Sequence, residues 1–391
     1  GYPISLDCSP EDRNSWRGVG HLFGLPDVSF LCLPDLADAV GADREQVTLP
    51  RYVPRFEEQF VECSEPVPPP PADSLARLFS APRCGDEEYK DWATALFLTT
   101  DLIARNLREV QMVASVPIPK AGAGLGAASK AERDLMEFFT SEGRLLSSPL
   151  SRQQNGLSSA FLQLAYPWPR TPGSQNLPEQ VESPDAVLAG LLARNALTRG
   201  AFRSAAGSHL ADVYDLYPSL PRHQMMKRHA DGRSKNSPGR SLMERVSLFG
   251  VTPGGFELLS DVTTSLSESY RPASVSRLVS VIIRAARRLG EDRVFESSGE
   301  RLWSQLRESL NALLSGLLEA GALRGATPSE AFDVRCDRSA MTQNDIDNGR
   351  VIAVVQFDAA VPIERITVAL AMDEGGQVSQ FTAGSIDREA A

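Results

Sequence analysis

Apolar and polar positions along this chain repeat with two different periods. Residues 27–36 (DVSFLCLPDL) form a short apolar run closed by proline, the pattern of a buried strand leading into a loop. Between Glu87 and Asn106 the period becomes helical, with Trp92, Leu96, Thr99 and Ile103 on one side. Residues 110–118 (VQMVASVPI) read as a strand, 128–139 as a helix, 160–168 (AFLQLAYPW) as a strand and 186–197 (AVLAGLLARNAL) as a helix. Strands alternating with helices predict an α/β layer.

The pattern changes towards the C-terminus. Over residues 275–289, Val275, Leu278, Val279, Ile282, Ala286 and Leu289 form an apolar stripe, and Arg277, Arg284 and Arg288 share the opposite face. The next helix, 297–321, opens with Ser297 and Glu300 at capping-box spacing and closes at Gly321. Its expected core stripe is Leu302, Leu306, Leu310, Leu313 and Leu317. Thr327, Pro328 and Glu330 start one more short turn, and strands follow at 332–336, 351–357 and 363–370. Helices followed by an antiparallel meander make an α+β part. The fold class expected is therefore α/β plus α+β, divided as residues 1–235 and 236–391.

Three linkers punctuate this plan. PVPPPPADS (66–74) is expected to be an extended connector. The stretch 222–240, rich in Lys, Arg, Gly, Ser and Asn, reads as a solvated loop between the two parts. TQNDIDNGR (342–350) invites a calcium reading, but a count from Asp345 puts glycine at position 5 and Gln356 at position 12, so the EF-hand pattern fails. Asp347, Asn348 and Gly349 instead supply the chemistry of a chain reversal.

Composition narrows the function. With 42% hydrophobic residues and a formal charge of −10, the chain is a globular protein whose main partner is not expected to be nucleic acid. No apolar run is long enough to span a membrane. Five scattered cysteines without a CxxC pair suggest reduced thiols, as in the cytoplasm, and no zinc site. GxSxG and HExxH are both absent, and Asp345 and Asp347 have nothing near them in sequence to raise a pKa. Gly122, Gly124 and Ala127 satisfy a loose dinucleotide-loop pattern, but prolines 117 and 119 interrupt the strand before it. No catalytic, cofactor or metal residue is expected.

The run from Leu302 to Leu370 resembles the C-terminal domain of contractile-phage tail sheath proteins, especially those of extracellular contractile injection systems. The order of signals carries the resemblance: a helix, the turn GALRGATPSEAF, a strand ending in Cys336–Asp337, the NDIDNGR loop, and paired strands around Pro362. SYRPASVSRLVSVIIRAARR (269–288) looks like the family's preceding helix, and ESPDAVLAGLLARNALTRGAF (182–202) is similar to a family motif, with Phe202 in place of a tryptophan.

The resemblance implies a mechanical protein: hexameric rings stacked helically around an inner tube, capped and based by other proteins, contracting without a nucleotide and without enzyme activity. It implies an outer α/β domain and an inner, tube-facing one, assembly in the bacterial cytoplasm, and no direct membrane insertion. Arg277, Arg284, Arg288, Arg301 and Arg307 are the expected tube-facing residues, since residues 271–307 carry eight arginines against four acids. Ile366, Val368 and Leu370 are the expected strand of an inter-subunit arm. The family's PGVYVEE-like opening arm is not matched at Gly1 to Pro10, so a natural beginning upstream or a variant subunit is expected. A static cap or baseplate element is the alternative, and a nucleotide-dependent enzyme using residues 122–127 is a third.

Overall fold

The computed structural model describes residues 8–41, 81–120, 157–226, 241–265, 267–293, 296, 299–360, 366–372 and 378–381. The strands are β1 (Phe30–Cys32), β2 (Arg83–Cys84), β3 (Gln111–Ser115), β4 (Ile118–Pro119), β5 (Leu162–Tyr166), β6 (Trp168–Arg170), β7 (Asp215–Tyr217), β8 (Ser247–Thr252), β9 (Gly255–Leu258), β10 (Phe332–Arg335), β11 (Val351–Phe357), β12 (Ile366–Met372) and β13 (Val378–Phe381). The α-helices are α1 (Leu36–Val40), α2 (Asp86–Asn106), α3 (Pro184–Thr198), α4 (Arg222–Met226), α5 (Ala273–Glu291), α6 (Glu300–Glu319), α7 (Pro328–Ala331) and α8 (Gln343–Asp347).

A five-stranded sheet in the order β1-β3-β5-β8-β9 organises the first layer. Its first four strands are parallel and β9 returns antiparallel to β8. Met112, Ala114, Leu162, Leu164 and Leu248 join the core of α2, where Trp92, Leu96 and Ile103 are fully buried as the helical period predicts. On the other side, Val113, Ala165 and Phe249 pack with Leu188, Leu191 and Leu192 of α3. Cover on both faces explains why these strands read as continuous apolar runs.

The first sheet runs across the expected division at 235/236. Strands β8 and β9 lie beyond the basic stretch, yet they belong to the first layer, which gives way to the second only at α5. A polar, glycine-containing composition marks a surface connection, but it does not say whether the chain returns to the sheet it left. Of that stretch only Arg222–Met226, the short helix α4, is described. The expected connector at 66–74, helix at 128–139 and glycine loop at 122–127 lie outside the described residues.

In the second layer α5 and α6 pack over an antiparallel sheet, β10-β11-β12-β13. The α6 stripe runs Leu302, Leu306, Leu310 and Leu314, keeping an i+4 step throughout; Leu314 is fully buried and Leu313 only partly. Gly299 is the N-cap of α6, two residues later than the expected Ser297, which is not described. Gly321 ends the helix with φ +77°, a conformation open to glycine. The α/β layer followed by helices and an antiparallel sheet is the expected fold class.

Candidate functional site

One side of α5 is apolar and packs in the second core through Val275, Leu278, Ile282 and Ala286. Its other side faces the first layer, and it is polar. Arg277 is 4% exposed and Asp261, three residues after β9, is fully buried. Arg277 Nη2 donates to Asp261 Oδ2 at 2.6 Å and Nη1 to Oδ1 at 3.0 Å. Gln163 Nε2 of β5 donates to Oδ1 at 3.0 Å and the Ala205 N–H to Oδ2 at 2.8 Å. The guanidinium also donates to the carbonyls of Ala201 and Arg203.

Burial alone pushes the Asp261 carboxyl upward. The charge and hydrogen bonds of Arg277, with those from Ala205 and Gln163, more than offset this and hold it below the ordinary carboxylate range. The network thus ties β5, the end of β9, the loop after α3 and helix α5 together. Gly200 shapes that loop: its φ is +101°, and an added Cβ there would lie 2.7 Å from the Phe202 ring.

Further along α5, Arg284 donates to Ser29 Oγ at 2.7 Å and to the Val28 carbonyl at 2.9 Å. Arg287 pairs with the buried Glu109, and Arg288 Nη2 donates to Asp27 at 2.8 Å in an exposed pair. The structure therefore turns Arg277 and Arg284 inward and brings them, with Arg288, to the joint between layers. Arg301 lies apart from them, exposed on α6, and Arg307 is half-buried beside Cys336 and Asp337. Periodicity identified the arginine face but not its partners, because Asp261 and Ser29 are single residues with no signature of their own.

Ile366, Val368 and Leu370 lie in β12, between β11 and β13. The described pairing with β13 covers Ala369 to Met372. At 342–350 the chain makes a short capped helix: the Asp345 N–H donates to Thr342 Oγ1, and the Thr342 N–H to Asp345 Oδ2 at 2.9 Å. The Thr342 hydroxyl also donates to Asp345 Oδ2 at 2.5 Å, and this bond, then that of the Thr342 N–H, with Arg350 nearby, holds the Asp345 carboxyl below its usual range. Gly349, with φ +68°, then reverses the chain into β11. Among the described residues no group of three or more His, Cys, Asp or Glu side chains is placed to hold a metal ion. Burial pushes the Cys84 thiol up to about 12 and that of Cys336 to about 11, away from nucleophilic chemistry.

Residues 265–372 match the phage tail sheath C-terminal domain. This span covers α5, α6 and the sheet through β12. The solved structures similar to this chain extend the likeness to the first layer. A chain of the anti-feeding prophage (AFP) baseplate, 6-fold symmetrised, has a TM-score of 0.51 at 19% identity, covering 72% of this chain and 64% of that one. The sheath complex of an extracellular contractile injection system, PVC, in the contracted state gives 0.52 at 20%, covering 70% and 65%. The AFP helical sheath in the contracted state gives 0.50 at 19%, covering 73% and 66%.

The fold is that of a contractile-tail sheath protein. The chain spans a little under two thirds of the length of each of these relatives. A sequence comparison with curated proteins found no match. In this sheath fold the arginine joint lies where the matched C-terminal domain meets the α/β layer.

Proposed function

We propose that the chain is a structural sheath subunit that assembles with copies of itself around an inner tube and contracts to drive that tube into a target. The observation that carries this reading is the C-terminal domain match continued by a sheath fold across both layers. Hexameric rings stacked helically, with baseplate and cap proteins at the ends, are the expected partners. Assembly takes place in the bacterial cytoplasm. The work comes from metastable subunit packing, with no enzyme activity and no nucleotide. Arg301 and Arg307 are the tube-facing candidates left free of the joint, and β12, with Ile366, Val368 and Leu370, is the candidate arm strand.

A baseplate role is the second reading, favoured by the AFP baseplate likeness. Co-expression with a tube protein, followed by electron microscopy, separates the two. Long tubes coated in rings are expected; a single ring at one tube end supports the baseplate role, and monomers beside bare tubes defeat both. Removing residues from Ala371 onward is expected to leave a soluble protein that no longer forms long sheaths.

A further inference from the structure

Among the described residues four exposed arginines, Arg194, Arg199, Arg203 and Arg324, have no carboxylate partner. Arg194 lies late in α3 and Arg199 is its C-cap. Arg203 follows in the loop shaped by Gly200, its N–H donating to the Gly200 carbonyl at 3.1 Å. A Cβ on Gly321 would lie 3.7 Å from Arg203 Nη2, so this loop reaches the C-terminal end of α6. Arg324 stands just beyond, its N–H donating to the Asp358 carbonyl at 2.8 Å. Exposed Glu319 and Glu330 on the same stretch offset half of this charge. An exposed arginine without an acid adds little to a fold, and like charges gathered in a chain of net −10 point to an acidic surface that docks here.

The opposite charge stands at the other end of α6. The turn from α5 to α6, residues 291–300, carries Glu291, Asp292, Glu296 and Glu300, all exposed, against Arg293. Arg293 pairs with Glu296 at 3.3 Å, which leaves Glu291, Asp292 and Glu300 without a basic partner among the described residues. Even with Arg301, the next charge along α6, four acids stand against two arginines at this end. Helix α6 has 20 residues and is held in the second core by its leucine stripe. At 1.5 Å per residue its ends are about 30 Å apart, well beyond a screening length of about 8 Å. The acidic and basic ends therefore cannot meet within one chain.

We propose that the arginine patch at the C-terminal end of α6 receives the acidic α5–α6 turn of a second copy. The occupant follows from the chain itself: each copy carries both surfaces, both are unpaired, and they lie at opposite ends of one helix. Facing charges of this kind steer association and fix which ends meet. A closed pair would use both contacts at once, whereas a single head-to-tail contact leaves one acidic and one basic end open. Such heterologous contacts propagate into rings or open helical stacks. The inference rests on the sheath reading for what the contact builds.

The test uses the full chain with two charge reversals, Arg199→Glu with Arg324→Glu at the basic end, and Glu291→Arg with Asp292→Arg at the acidic end. All four positions are exposed, so both variants are expected to melt close to the wild type. Each alone should need on the order of tenfold more protein to form sedimentable assemblies on a tube protein. Mixed in equal amounts, or combined in one chain, the reversals restore opposite charges at every contact and should return assembly to the wild-type concentration. A mixture no better than its parts, as an acidic tube surface on the arginines would give, overturns the contact, and so does wild-type assembly by either variant alone. Should a reversal melt early, Arg199→Gln with Arg324→Gln replaces it, and an unchanged assembly concentration then overturns the contact. Failure of the wild type to coat any tube protein counts against the sheath reading instead. Sedimentation velocity of the mixed variants without a tube, expected to show larger species than either alone, still decides the contact.

Discussion

Arg277 of α5 and Asp261, just beyond β9, form a two-point ion pair at 2.6 and 3.0 Å with both side chains almost wholly buried. This pair is the central contact between the α/β layer and the matched sheath domain. Two buried charges are costly to desolvate, and they are tolerated here because Gln163 and the Ala205 N–H complete the carboxylate's hydrogen bonds.

Breaking the pair on one side is expected to be severe. Arg277→Met leaves a buried, uncompensated carboxylate and should lower stability by about 3–5 kcal/mol in urea denaturation. The double variant with Asp261→Leu should recover most of that loss. The acid limb supplies a second check. Because the Asp261 pKa is depressed in the folded protein, its contribution is present above the unfolded value of 3.8 and fades as pH falls through the lower, folded one. The double variant should lose less stability than the wild type over that acid range. Equal losses would remove Asp261 from the acid transition.

Asp185 makes the opposite case. It is fully buried at the start of α3, its Oδ1 accepts from Ser183 Oγ and the Ala186 N–H, and its Oδ2 has no partner. Burial raises its pKa, and the hydrogen bonds do not offset the shift. A carboxyl with a raised folded pKa loses stability as pH climbs from the unfolded value through the folded one. Asp185→Asn should therefore melt above the wild type at pH 7–8, and the gap should narrow on acidification. A gap that widens towards low pH contradicts this assignment.

The α6 stripe is testable with neighbouring residues. Leu314→Ala should lose about 2–5 kcal/mol, as expected for a fully buried leucine. Leu313→Ala, half-buried, should lose about 1 kcal/mol. The reverse order would restore the stripe through Leu313 that the sequence suggested.

Much of the fold was legible from period alone, and the misses share a cause. Trp92, Leu96 and Ile103 were readable because a 3.6-residue repeat reports which side of one helix is buried. The same repeat separated Arg277, Arg284 and Arg288 from the apolar stripe of α5. It carries no record of what lies across from either face, so the partners of Arg277 and Arg284, Asp261 and Ser29, were not legible. The reach of the first sheet to β8 was not legible for the same reason, since the partnership of β8 with β5 is a long-range pairing with no local mark at Ser247. The reversal at 342–350 was readable because Asp347, Asn348 and Gly349 act on their near neighbours, whereas the Thr342–Asp345 cap emerged only in the structure.

Those two arginine sets give opposite expectations on charge reversal. Arg284 donates to Ser29 Oγ and to the carbonyls of Val28 and Glu109, so glutamate there meets acceptors rather than donors. Arg284→Glu with Arg288→Glu should lower the melting temperature and reduce assembly through loss of the folded joint. Arg301 is exposed and Arg307 half-buried, and neither has the carbonyl partners of Arg284. Arg301→Glu, at the exposed position, should leave melting nearly unchanged while weakening co-sedimentation with the tube protein, because a repulsive charge at a contact lowers association more than it disturbs a solvated helix face. Raising salt should weaken wild-type docking and narrow the difference between wild type and variant. Full docking by this second variant at low salt would place the tube contact elsewhere than on α6.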